Sequence, residues 1–206
     1  GSSHARTDPP RPPGRSVDAA GPAGRRREPG HGHDDHRTKP STPNQASMIK
    51  AMTVQLRDID ASNFYQVLAM HRPEAEEYVA PNSVSLAEAW LYRNEHTVVP
   101  LAIYEGDSLV GFVMTHDDLA NNIRDIWRIL IPEEHVNHGY GLQTLRFLAQ
   151  QAQLEGFACL RLSYVPGNAL AEHVYRKLGF VPTGEIDDGE IVMERALCNS
   201  CLERMG

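Results

Sequence analysis

The residues with chemistry in them gather in the second half of the chain. His138-Gly139-Tyr140-Gly141 follows the apolar run Ile129-Leu130-Ile131 and precedes a helical pattern. Glycines at a strand-to-helix turn let a ligand approach the backbone. The unpaired N–H groups of the first helical turn, with the helix dipole, then form a cradle for a phosphate. The same two glycines also suit a plain tight turn. The turn is neither a Walker loop, whose GxxxxGK pattern is missing, nor a dinucleotide fingerprint, which needs a third glycine. A second cluster starts at Pro166-Gly167-Asn168, a break after the apolar strand Cys159 to Tyr164. Asn168 can hydrogen-bond a ligand at the strand end or cap the helix that follows. Tyr175 comes two helical turns later, near the face of Asn168 and Ala171. Its hydroxyl can point into the same cleft, or its ring can serve the core.

The elements that position these clusters are legible as periodicity. Val54 to Ile59 alternates apolar and polar as a first strand does. Phe64, Val67, Leu68 and His71 share one helical face, with Asp60 as candidate cap and Pro73 as stop. Ser85 and Glu88 have the spacing of a capping box, which starts a second helix running to about His96. Val98 to Tyr104 and Leu109 to Thr115 flank the hairpin sequence Glu105-Gly106-Asp107-Ser108. Asp117 to Asn122 reads as a polar loop, and Ile126 to Ile131 as the strand entering the glycine turn. Leu142, Leu145, Leu148, Ala149 and Ala152 keep helical spacing up to Gly156, a C-terminal cap. Val181 to Ile186 and Ile191 to Arg195 flank Asp187-Asp188-Gly189 as a closing hairpin. The order is strand, two helices, three strands, helix, strand, helix, two strands. That order predicts an α/β (α+β) domain on one mixed sheet.

Composition divides the 206-residue chain. Residues 1–47 hold eight of the fourteen prolines, and Val17 is their only large aliphatic residue. Such a segment cannot offset its ordering entropy by burial, so it is expected to be a disordered tail before a domain at 48–197 and a short C-terminal tail at 198–206. The tail carries eight Lys+Arg against five Asp+Glu, a net +3, so a chain total of −7 leaves −10 on the rest. An acidic domain argues against nucleic acid and suits a cationic substrate, although the same charge serves solubility. Arg25-Arg26-Arg27 and the histidines at 31, 33 and 36 read as low-complexity tail. Cys159 reads as a small core residue, and Cys198-Asn199-Ser200-Cys201 is a lone CxxC that does not define a metal site. With no disulfide framework, no signal segment and no apolar span of about 20 residues, the expected place is the cytoplasm, away from membranes.

Gly139-Tyr140-Gly141 followed by Asn168, Ala171, Tyr175, Lys177, Gly179 and Phe180 resembles the GNAT superfamily of acetyl-CoA-dependent N-acetyltransferases. The resemblance covers about residues 53 to 197. Tyr78 to Ala89, Trp127-Arg128, Leu162 to Asn168 and Thr183 to Glu190 are similar to the bacterial spermine/spermidine (diamine) acetyltransferase branch. It implies a GNAT-like fold with a mostly antiparallel sheet of about seven strands and helices on both faces. It implies that Ile129, Leu130 and Ile131 pair with the pantetheine arm of acetyl-CoA. The amides of Val136, Asn137, His138, Gly139, Tyr140 and Gly141 would hold the pyrophosphate, and Asn168 and Lys177 would also contact the cofactor. Tyr175 would protonate the departing thiolate. The family's turn begins with Arg or Gln and then often Gly, where this chain has Val136 and Asn137; its strand end often carries Asp, where this chain has Pro132.

The expected reaction is direct acetyl transfer to a primary amine. An amine with a pKa of about 10 is mostly protonated at neutral pH, so some group must accept its proton. Asp125, Glu133 and Glu134 flank the cofactor strand and are candidates, while Glu76 and Glu77 suit the distal ammonium groups of a polyamine; each is otherwise a solvated carboxylate. The other readings are an acceptor of aminoglycoside or protein-amine type, and a non-catalytic acyl-CoA or polyamine sensor. Homodimerisation through a sheet edge is an expectation from the resemblance alone.

Overall fold

The computed structural model describes residues 17–18, 54–73 and 80–197. Most of the expected N-terminal tail, residues 74–79 with Glu76 and Glu77, and the tail at 198–206 lie outside the described residues. Strands β2 (Val54–Asp58), β3 (Val98–Glu105), β4 (Ser108–Asp118), β5 (Ile123–Leu130), β6 (Cys159–Tyr164), β7 (Val181–Asp187) and β8 (Glu190–Ala196) form one sheet in the order β2-β3-β4-β5-β6-β8-β7. A two-residue strand, β1 (Val17–Asp18), pairs with β5 off this path. The β5–β6 and β1–β5 pairs are parallel and all others antiparallel. A parallel pair needs a long crossover. Between β5 and β6 it is the longest helix described, α3 (Tyr140–Leu154).

Helices cover both faces. Along β4, Phe112 and Met114 join one buried cluster and Val113 the other, the period of a strand buried on both sides. The first cluster takes Val67 of α1 (Phe64–Ala69), Trp127, and the half-buried Leu86 and Ala89 of α2 (Asn82–Leu91). The second takes Leu145, Leu148, Ala149 and Ala152 of α3, with Ala171 and Tyr175 of α4 (Ala169–Lys177). The predicted element order is therefore the observed one, with β1 added.

Local expectations fail where tertiary partners outbid local ones. Helix α2 starts at Asn82 with Pro81 as its N-cap, so Ser85 is a buried helical residue and the expected capping box does not form. Asn82 instead donates its side-chain amide to the Val67 carbonyl at 2.8 Å, tying α2 to α1. Helix α1 ends at Ala69, short of His71, and buries only Val67. Asp60 accepts from the backbone of Ser62 at 2.7 Å in the turn before α1, and Asn63 is the N-cap residue. The polar loop expected at Asp117 to Asn122 is shorter than that: β4 runs through Asp118, where Arg124 of β5 reaches across to both carboxylate oxygens of Asp117, at 2.7 and 2.8 Å, and residues 119–122 make the turn. Cys159 is the buried core residue expected, but it is disulfide-bonded, against the expectation of no disulfide. Absence of disulfides therefore lends no support to a cytoplasmic location. Among the described residues, no helix is long and apolar enough to cross a membrane.

Candidate active site

Strand β5 is the axis of the site. It pairs with β6 only from Ile123 to Ile126, against Cys159 to Leu162, and beyond that the ladder ends. The reason lies in its own register. Met114 of β4 faces Arg128 and Thr115 faces Ile126, which leaves Trp127 as an extra residue. Such a bulge bends the strand and adds twist. It also sends two successive side chains toward the α1–α2 face: Trp127 into the smaller core, and Arg128 to Glu88 of α2 with Nη1 donating to Oε2 at 2.5 Å. Past the bulge, the β5 edge is no longer matched to β6. In this structure β1 sits there instead, with Val17 opposite Ile129 and Asp18 opposite Leu130. The edge at Ile129 and Leu130 thus has room and hydrogen-bonding groups for an extended amide chain. A pantetheine arm, which carries two amides, fits that requirement.

The glycine turn follows. After Ile131 and Pro132, Glu133–His135 make one 3-10 turn, and Val136 is extended. Asn137 has φ 64° and Gly139 φ 78°. Asn is among the few residues that tolerate the left-handed region, so Asn137 supplies the backbone geometry that the resemblance expects of a glycine. Gly139 is the N-cap of α3, whose first intrahelical bond runs from the Gln143 N–H to the Gly139 carbonyl at 3.0 Å. Among the described residues, no side chain caps this end. Its amides are left for an anion or water, as a pyrophosphate cradle requires.

Tyr140 does something the spacing did not announce. Its phenol is 5% exposed and donates to Glu105 at the end of β3, at 2.5 Å. That hydrogen bond, with burial and the carboxylate's charge, pushes its pKa up to about 12. The phenol is therefore a strut from β3 to α3, which leaves only its backbone N–H for a ligand. His138 stacks on the Tyr140 ring at 5.6 Å and is otherwise exposed.

Helix α4 completes the site. The Asn168 side-chain oxygen accepts from the Ala171 N–H at 3.1 Å, so Asn168 is the N-cap of α4 and presents only its Nδ2 for a ligand contact. Tyr175 is fully buried, with its ring 6.1 Å from that of Tyr164, the last residue of β6, and 6.2 Å from that of Phe180. Tyr175 is thus both a core residue and a neighbour of the strand end where β5 and β6 part. Lys177, in the last turn, is exposed.

The candidate carboxylates do not gather. Asp125 is 6% exposed within β5, opposite His116 on β4 and Arg161 on β6, and is therefore no surface carboxylate. Glu133 and Glu134 are exposed on the 3-10 turn, and Glu133 lies 3.8 Å from the Arg72 guanidinium just after α1. Sequence reading missed the Arg128–Glu88 pair as a contact, the bulge at Trp127 and the role of Glu105. The first had a signal: a lone charge inside the run Ile126 to Ile131 demands a buried partner. Glu105 had none, because Tyr140 is 35 residues away.

Comparisons with known proteins bear on the fold and on the family. No curated protein sequence matches the chain. Solved structures share its fold, and three of them illustrate it. A spermidine N-acetyltransferase chimera from Vibrio cholerae and hSSAT superposes with TM-score 0.57 at 14% identity, covering 70% of this chain and 96% of that one. The spermidine N-acetyltransferase from Vibrio cholerae in complex with CoA and spermine gives 0.54 at 16%, covering 69% and 93%. The PaiA N-acetyltransferase from Thermoplasma acidophilum in complex with coenzyme A gives 0.51 at 17%, covering 70% and 99%. At such identities these likenesses speak for the fold alone. The sequence pattern of the Acetyltransferase (GNAT) family matches residues 54–180, from β2 to the residue before β7. A match over more than half of the chain decides its membership: the protein belongs to the GNAT family of acetyltransferases, enzymes that draw their acyl group from acetyl-CoA.

Proposed function

We propose that this acetyltransferase acts on a small primary amine of the polyamine or diamine class, with Tyr175 as general acid. The observation that carries the reading is the placement of Tyr175 beside Tyr164, at the end of β6 where β5 and β6 part. Acetyl-CoA, when bound, supplies a thioester-activated acetyl group. The Ile129–Leu130 edge orients its pantetheine arm, the uncapped start of α3 holds its pyrophosphate, and the Asn168 side-chain NH2 adds a contact. The Tyr175 hydroxyl gives its proton to the sulfur as the C–S bond breaks and the new C–N bond forms. The amine's own proton leaves through water to the exposed Glu133 or Glu134, since Asp125 is enclosed in the sheet. The acidic domain, −10 over residues 48–206, raises the local concentration of a polycation. The fold neighbours that act on spermidine support the same acceptor class. Pairing of two copies along the exposed β7 edge belongs to this reading too, and light scattering checks it.

The test is thiol release from acetyl-CoA over a panel of spermidine, a short diamine, an aminoglycoside and a lysine peptide. Turnover is expected to be fastest with spermidine. Loss of Tyr175 as Tyr175→Phe is expected to lower kcat by about 10²- to 10⁴-fold, the usual weight of general acid catalysis. A Tyr175→Phe enzyme at full rate removes the acid role. CoA binding without turnover on any amine overturns the catalytic reading.

A further inference from the structure

The pairing of β1 has no place in acetyl transfer. We infer that the segment around Val17–Asp18 is an intramolecular competitor of acetyl-CoA, which closes the cofactor cleft by adding a strand to the β5 edge. The inference rests on the reading of that cleft as the pantetheine site. Three observations support it.

The first is register. Val17 stands opposite Ile129 and Asp18 opposite Leu130, in parallel pairing, and β1 also lies against β6. The far half of β5 has β4 along one edge, with Phe112 opposite Leu130 and Val113 opposite Ile129. Only its other edge is open, and a backbone N–H or C=O on it serves one partner at a time. The second is composition. Val17 is the only large aliphatic residue in residues 1–47, and it is β-branched. Proline cannot donate to a ladder, and Pro13 and Pro22 bracket the stretch in which Val17 lies. The tail's only large aliphatic residue, a strand former, is thus one of the two residues of β1. The third is access. Tyr175 is fully buried in the structure that contains β1, and β1 lies against β6, the strand whose last residue, Tyr164, packs on the Tyr175 ring.

Two bridges hold a strand weakly, and only its tether makes the contact count. Residues 19–53 can span far more than the domain at about 3.3 Å per residue, and tethering on one chain makes the contact intramolecular, which raises the effective concentration of the strand. A weak seat is then substantially occupied until cofactor displaces it. The apparent affinity for CoA falls by the fraction of molecules with the cleft free.

The test uses the full chain and a Val17→Pro/Asp18→Pro variant, which removes both strand donors and lies outside β2 to β8. Hydrogen exchange without CoA reads whether the strand is seated. The amides of Ile129 to Ile131 are expected to exchange several-fold faster in the variant at unchanged Tm, and equal exchange overturns the seating. Calorimetric titration with CoA reads the competition. The variant is expected to bind about five-fold tighter, as for a seat filled in roughly four molecules of five. Equal affinity in two proteins that both bind overturns the competition while leaving the cofactor site intact. Absence of CoA binding in both overturns the site reading itself, and the competition with it.

Discussion

Removing the charge of Glu88 tests how the acceptor side is held to the cofactor strand. Arg128 has no exposed surface, and its ion-pair partner among the described residues is Glu88, whose side chain is 14% exposed. Two of its three nitrogens, Nε and Nη2, have no hydrogen-bond partner among the described residues. Breaking a buried pair from one side leaves an uncompensated charge, which costs about 3–5 kcal/mol. Glu88→Gln keeps the shape and one acceptor, so the lower end, about 3 kcal/mol, is expected. At about 2–4 °C per kcal/mol for a domain of this size, Tm should fall by roughly 6–12 °C. Urea denaturation at pH 7 measures the free energy directly. Replacing both members by apolar groups, Arg128→Met with Glu88→Leu, should recover most of the loss, because two well-packed apolar groups need no partners. Function should respond unequally. The pair joins α2 to the bulge, whereas α3 and α4 lie on the opposite face, so KM for the amine rises while the CoA Kd holds. A Glu88→Gln protein within about 0.5 kcal/mol of the parent, a change ordinary for surface sites, refutes the claim that Arg128 depends on this one carboxylate.

Other expectations follow from the glycine turn and its supports. Tyr140 titrates at about 12 when folded and near 10 when unfolded, so the stability it lends is present below about pH 10 and is lost as pH rises toward 12. Tyr140→Phe should remove that part of the alkaline slope, measured as the difference between the two proteins' urea midpoints from pH 8 to 11.5. Asn137→Gly should keep CoA affinity, whereas Asn137→Val, forced to φ 64°, should cost about 1–2 kcal/mol and appear as weaker CoA binding in calorimetry. A Cβ on Gly111 would lie 2.9 Å from the Leu130 carbonyl and 2.7 Å from the Ile131 side chain. Backbone cannot give way cheaply, so Gly111→Ala should destabilise by about 1–3 kcal/mol in the same denaturation and weaken CoA binding by displacing the β5 edge.

The order of elements and both clusters were legible in the chain, because strand and helix periods, glycine breaks and the Asn168-to-Phe180 spacing are local properties. Asn137 shows the limit of matching letters. It departs from the expected glycine in type, yet it adopts the glycine's conformation, which only backbone angles reveal. Ser85 and Glu88 show the opposite. Their spacing met a local rule, but a buried arginine on another element outweighed the cap.

What sequence determined by itself is therefore the architecture and the family. What only tertiary structure decided is who meets whom: Tyr140 with Glu105, Arg128 with Glu88, Asn168 with its own helix, and Val17 with Ile129. Local preference acts over a few residues and is written in their types. The parting of β5 from β6 depends instead on one extra residue at Trp127, measured against the register of a neighbouring strand. Register is a relation between distant segments, so no single stretch of sequence contains it.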